Sequence, residues 1–309
     1  MNIRIKKRNF ILLLAIIASG FKASAQQESQ FTQYMYNTIS FNPAYAGSRD
    51  ALSIMGIYRA QWIGLQGAPK TANFSINGPV GDRVGIGFSF INDKIGPSDE
   101  TNFNLDLSYN IIVNADARLF FGIKASGNLL NIDYSKLSQS DGNDQMFNEN
   151  VKNLFTPNVG AGVYYQTQNA YIGVSVPYFL ETNHYKDNAV STVREKMHAY
   201  LMGGYVFDIN RDLQFKPAAL IKAVSGAPLQ VDLSANFLIN DKLTLGAAYR
   251  LNSAVSALAG FQITNGLMAG YAYDFETSKL GNYNSGSHEI FLRFEIAKGN
   301  LPILNPRFF

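Results

Sequence analysis

The sequence predicts an all-β protein: a transmembrane, antiparallel, up-and-down β-barrel of about fourteen strands behind a short N-terminal segment. Three observations carry that prediction. Apolar and polar residues alternate from about residue 50 nearly to the C-terminus. The composition is poor in charge (16%) and rich in aromatics (13%), with a mean hydropathy of only −0.06. The chain also opens on an export leader.

The leader comes first. Arg4, Lys6, Lys7 and Arg8 precede the apolar run 10–18; Ser19-Gly20 breaks it, and Ala23-Ser24-Ala25 supplies small residues for cleavage. The run is too short for a spanning helix, which needs about 20 apolar residues. Residues 1–25 are therefore expected to be a signal peptide, with Gln26 as the mature N-terminus. The full chain holds 26 basic and 23 acidic residues; five basic residues and no acid lie in 1–25, leaving 21 and 23, a net charge of −2. No basic stripe for nucleic acid is expected. With no cysteine, neither disulfides nor thiolate-bound zinc can hold the fold.

Residues 26–50 show no period of their own and carry Phe31, Tyr34, Tyr36, Phe41 and Tyr45 around an Asn42-Pro43 turn signal. Two readings stay open: a plug inside the barrel, or a contact segment in the periplasm, where bare aromatic surface would need a partner.

The barrel is assigned to 51–309. In 103–111, Phe103, Leu105, Leu107, Tyr109 and Ile111 alternate with Asn104, Asp106, Ser108 and Asn110. The same pattern runs through 231–239, 243–251 and 289–296. Successive strand side chains point to opposite faces, so each segment has one apolar and one polar face. The expected strands are 51–63, 70–80, 83–93, 100–113, 116–130, 155–166, 170–179, 196–208, 211–224, 228–239, 241–251, 254–264, 266–275 and 286–297. Many reach the length, about 9–11 residues, that a tilted strand needs to cross hydrocarbon.

The connections give a second test. Even-numbered ones are short (Gly81-Asp82, Asn114-Ala115, Thr167-Gln168-Asn169, Ile209-Asn210, Asn240, Asn265) and rich in residues that tolerate tight hairpins. The three longest, 131–154, 180–195 and 276–285, are all odd-numbered. Barrels keep short turns in the periplasm and long loops outside, so this phase places both termini in the periplasm. A soluble β-sandwich would also alternate, but the polar faces here are rich in Gly, Ser and Asn instead of Lys and Glu.

Several blocks resemble the PorP/SprF family of outer-membrane proteins of type IX secretion and gliding motility. They are Gln30-Phe31-Thr32-Gln33-Tyr34-Met35, 41–48 (Phe41-Asn42-Pro43-Ala44-Tyr45-Ala46-Gly47-Ser48), 58–71 around Arg59, Gln61 and Trp62, 84–97, and, near the end, 270–274 and 282–289. The resemblance implies a barrel that assembles with, anchors or holds an exported surface protein, such as an adhesin or a secreted C-terminal domain. It also implies periplasmic secretion components and outer-membrane lipid as partners. The residues that partner binding or plugging would draw on are Phe31, Gln33, Tyr34, Asn42, Pro43, Tyr45, Gly47, Arg59, Gln61 and Trp62. The alternative from another class is a small-molecule transporter or porin.

Catalytic, cofactor and metal sites are not expected. His184, His198 and His288 have no paired ligands. Ser287, His288 and Glu289 are strand neighbours that point to opposite faces, so they cannot converge as a hydrolytic trio. Asp141-Gly142-Asn143-Asp144 with Glu149 lacks the spacing of a calcium loop, and Asp93 and Asp99-Glu100 likewise read as solvated loop acids. Asp106, Arg118, Lys124, Lys216, Lys222, Asp232, Arg250, Glu289, Arg293 and Glu295 should face inward. Their mixed signs favour pairing across a filled lumen over a charge-selective channel.

Overall fold

The computed structural model describes residues 31–136, 150–181 and 196–297. The leader, the acid cluster at 141–149 and His184 lie outside the described residues. Among the described residues no helix is long and apolar enough to cross a membrane. Alternation instead produces strands, and fourteen of them form one closed antiparallel sheet. They are β1 (Ala51–Ala60), β2 (Lys70–Val80), β3 (Val84–Ile95), β4 (Ser98–Asn114), β5 (Ala117–Ile132), β6 (Val151–Gln166) and β7 (Ala170–Val176). There follow β8 in two pieces (His198–Tyr205 and Phe207–Asn210), β9 (Leu213–Val224), β10 (Gln230–Ile239), β11 (Leu243–Arg250), β12 (Ala254–Thr264), β13 (Leu267–Glu276) and β14 (Ser287–Ala297). Each strand pairs with its sequence neighbours, and β1 closes on β14 with Ala51 opposite Ala297 and Ala60 opposite His288. Closure leaves no unpaired edge, the requirement for backbone in lipid.

The faces follow the alternation. On β4, Leu105, Leu107, Tyr109 and Ile111 are exposed, while Asn104, Asp106 and Ser108 are buried. On β14, Leu292 is 58% exposed and its neighbours Phe291 and Arg293 are buried. The exterior is therefore apolar, while the interior holds most of the polar and charged side chains together with a cluster of buried rings and aliphatic groups, the arrangement of a filled barrel in lipid.

Strand ends differ from the sequence expectation where local chemistry intervenes. β1 stops at Ala60, not at residue 63, because Trp62 adopts a left-handed φ of +47° and leaves the ladder. β7 stops at Val176, ahead of Pro177, which has no N–H to donate. β3 and β4 run on to Ile95 and from Ser98. That corrects the reading of Asp93, Asp99 and Glu100 as solvated loop acids: Asp93 and Glu100, at the ends of the expected strands, oppose each other in one ladder, and Asp99 opposes Lys94.

One end of the barrel carries only tight turns (81–83, 115–116, 167–169, 211–212, 240–242, 265–266); the other carries the long connections 61–69, 133–150, 177–197 and 277–286. Both Ala51 and Ala297 sit at the short-turn end, in the same phase as the expectation for the strands. The segment ahead of β1 changes the picture for the chain start. Phe31 and Thr32 lie beside Arg59 and Asp274, near the long-connection end, and Asp50 pairs with Arg118 at the short-turn rim. Residues 31–50 thus run the length of the lumen. Strand parity alone could not reveal a segment that crosses the barrel without pairing in it, and the first described residue is not at the short-turn end.

Candidate functional site: a plugged lumen and the rim above it

The plug meets the wall with both kinds of group: its backbone and amides bond to the polar lining, and Phe31, Met35, Tyr36, Ile39 and Phe41 join a buried cluster with Met55, Ile57, Phe120 and Phe291 of the wall. Residues 31–49 are all buried, with two short turns of helix, α1 (Thr38–Phe41) and a 3-10 turn at Pro43–Tyr45. Asn42 and Pro43 explain the second turn. Pro43 presets the φ of the first helical position, and the Asn42 side chain accepts from Ala44 N at 3.0 Å. The same Asn42 amide donates to Val163 O at 3.0 Å, so the cap also pins the plug to β6. Gly47 takes φ +70° and lets the chain turn towards β1.

Contacts reach every side of the wall. Ser175 Oγ donates to Phe41 O at 2.8 Å, Ser108 Oγ to Ala46 O at 2.6 Å and Gln166 Nε2 to Ser48 O at 3.1 Å. Asn73 Nδ2 donates to Ser40 Oγ at 3.0 Å, and the Tyr34 hydroxyl lies 3.3 Å from Ser234 Oγ. Where the plug presses hardest, the wall has no side chain. A Cβ on Gly122 would sit 2.2 Å from Ala44 N, and one on Gly85 would sit 2.1 Å from Ala46 O. Rings fill the remaining space: Tyr45 meets Tyr164 edge-on at 5.6 Å, and Tyr36 lies 4.5 Å from Phe291.

Charge is handled by pairing. Arg59 donates from Nη2 to Asp274 at 2.6 Å and from Nη1 to Glu289 at 3.1 Å and to Thr32 Oγ1 at 2.8 Å. Glu289, fully buried, also accepts from the backbone N–H groups of Thr32 (2.9 Å) and Gln33 (2.8 Å). The five residues form a latch that fastens the plug near the long-connection end. At the other end Arg49 makes a two-point contact with Glu295, which Arg293 also approaches. Lys124 pairs with Asp106 at 2.8 Å and Arg250 with Asp232 at 2.6 Å, while Lys216 and Lys222 lie over the rings of Tyr171 and Tyr200. Isolated ions could not be left in such an interior, where the desolvation cost demands a partner. Arg118 departs from the inward set: it is half-exposed at the short-turn rim, paired with Asp50 at 2.7 Å.

The sequence-predicted site residues thus divide into two places. Phe31, Gln33, Tyr34, Asn42, Pro43, Tyr45 and Gly47 lie within the lumen, and Arg59 joins them through the latch. Gln61 and Trp62 belong to the 61–69 connection on the rim. This connection is ordered by its backbone: Gln61 N donates to Pro69 O, Gly96 N to Gly67 O, and Ile63 exchanges hydrogen bonds with Ser285 and Gly286. Trp62 N donates to Ser287 Oγ, and its indole N–H points to Glu276 at 3.4 Å. Ile63 and Tyr283 stand exposed beside it. At the base of the next long connection, the hydroxyl of Ser135 holds the Asp133 carboxyl below the usual carboxylate range.

Arg49, Thr32 and Asp274 were missed as site residues. Thr32 and Asp274 both lie in blocks that carry the family resemblance, whereas nothing in the sequence singled out Arg49. Ser287 and Glu289 point inward whereas His288 sits outward, its Nδ1 2.6 Å from the Tyr271 hydroxyl. Among the described residues no three His, Asp or Glu side chains cluster as metal ligands.

The profile of the type IX secretion system membrane protein PorP/SprF matches residues 23–294. The chain belongs to the PorP/SprF family. It is therefore an outer-membrane β-barrel of the type IX secretion system. Among curated protein sequences no match is found. Solved structures similar to this PorP/SprF protein include the outer membrane protein Omp33 of Acinetobacter baumannii, 10% identical over 80% of this chain and 98% of that one, with a TM-score of 0.48. The NanC porin is 10% identical over 80% and 100% of the two chains at 0.42, and the KdgM porin 8% over 79% and 99% at 0.36.

Proposed function

We propose that this barrel is a sealed holder: it assembles with periplasmic type IX components and retains an exported surface protein at its long-connection face, without catalysis of its own. The supporting observation is the filled lumen. A porin or small-molecule transporter needs an open path or an ordered solute site along its axis. Here residues 31–49 occupy that axis, bonded to wall residues on both sides of the barrel. The rim around Trp62, Ile63 and Tyr283 offers a stiff, partly apolar surface, the kind that protein interfaces use as anchors. In this orientation the tight turns face the periplasm and the long connections face outside.

Affinity purification from native outer membranes, paired with planar-bilayer recording of the purified barrel, tests this reading. The expected result is a co-purifying exported protein and no steady ion current. Steady current with no such protein would favour the transporter and overturn the proposal.

A further inference from the structure

We propose that the cup above the plug binds one sugar ring of a cell-surface glycan. The cup lies at the long-connection end of the lumen and encloses about 140 Å³. Sites for drug-sized ligands span about 300–1,000 Å³, so this space suits a single ring and not a run of peptide.

Its floor is apolar. Phe31 and Phe41, an edge-on pair 6.3 Å apart, come from the plug, and Ile91 comes from β3. Such a floor suits the C–H face of a pyranose. The near wall is built from carboxylates that are already oriented. Asp93 and Glu100 face each other across the β3–β4 ladder. Thr71 Oγ1 donates to Asp93 at 2.6 Å, Asn102 Nδ2 donates to Glu100 at 3.2 Å, and the Asn128 amide donates to the same Glu100 oxygen. Both carboxylates line the cup, where a ligand's hydroxyls can approach them. The Ser126 hydroxyl, also in the lining, is buried with no hydrogen-bond partner.

Charge narrows the ligand class. Lys196 and His198 stand in the same cup as the two acids, so neither a plain anion nor a plain cation meets a wall of one sign. No third acid or histidine joins the two carboxylates as metal ligands among the described residues. A neutral polyol, whose hydroxyls both donate and accept, can satisfy carboxylate, amide and hydroxyl together. The cell-surface source rests on the orientation proposed above; the site itself does not.

The test uses the full barrel purified in a detergent without a sugar headgroup and a panel of methyl pyranosides, read by saturation-transfer-difference NMR. At least one pyranoside should give transfer. Its affinity should fall at least tenfold in Glu100→Gln and in Ser126→Val, with unchanged heat-modifiable gel mobility reporting an intact barrel. No transfer from any pyranoside to the wild type, or equal transfer in the folded variants, overturns the proposal, as does binding of oligolysine without any pyranoside. Oligosaccharide released from surface lipid and glycan released from secreted protein then compete in separate arms. Competition by either supports the proposal and names the source; competition by neither overturns the cell-surface assignment. Loss of a co-purifying protein bears on the holder function and leaves this result untouched.

Discussion

Replacing Glu289 with alanine should unfasten the plug while sparing the barrel. The Glu289 carboxylate accepts three hydrogen bonds, from Thr32 N, Gln33 N and Arg59 Nη1. Its loss leaves two buried N–H groups without an acceptor and leaves Arg59 with Asp274 as its remaining ion-pair partner. Breaking a buried ion pair from one side costs about 3–5 kcal/mol. At about 1.36 kcal/mol per decade that shifts the plugged-to-released balance by roughly two to four powers of ten. The strand ladder uses backbone groups that this change does not touch, so β14 should still pair with β1 and β13. Glu289→Ala should therefore keep its heat-modifiable migration and gain transient ion currents in planar bilayers that the wild type lacks. Gln33→Cys, inert to a small thiol reagent in an otherwise native chain, should react once Glu289→Ala is added. Glu289→Gln should fall between, because it keeps one acceptor oxygen. A folded Glu289→Ala barrel that is as tight as the wild type, with residue 33 still protected, would refute the latch.

Other changes probe the wall, the orientation and the lipid face. Gly122→Val should displace the Pro43–Tyr45 turn, because even a Cβ there lies 2.2 Å from Ala44 N. Raised current and lowered thermal stability of the folded barrel are the readouts. The chain has no native cysteine, so single cysteines report orientation directly. Tyr283→Cys should react with an impermeant thiol reagent on intact cells and Asp241→Cys should not; the reverse pattern would invert the barrel. Leu292→Lys, on the lipid face, should cost about 2–4 kcal/mol near the bilayer midplane, read by denaturant titration in vesicles. Ser234→Asn on the inner face should cost less, and equal losses would contradict the assigned faces.

Much of this was legible in the sequence, and unevenly so. The alternation of Phe103, Leu105, Leu107, Tyr109 and Ile111 with polar neighbours established both strand and face, because side-chain direction in a strand is local geometry. The hairpins at Gly81, Asn114 and Asn240 were readable for the same reason: backbone freedom sits in the residue itself. The inward charges were found, but their partners were not. Lys124 opposite Asp106 and Arg250 opposite Asp232 are cross-strand neighbours set by register, and register depends on how turns close. Asp93, Asp99 and Glu100 stand where the apolar alternation fades at the strand ends, and only the ladder shows that both strands continue past them.

What the sequence determined by itself is the barrel: its strands, its faces, its turns and its family. What tertiary structure alone decided is the path of residues 31–50. Those residues have no period, so nothing local separates a plug from a free segment. The decision is made by groups far apart in the chain: Glu289 collects Thr32 and Gln33 from more than 250 residues away, and Gly85 and Gly122 leave room for Ala46 and Ala44. A closed polar lumen must satisfy its own charges and amides once water is excluded. Only when the ring closes do those groups face a common space that residues 31–49 can fill.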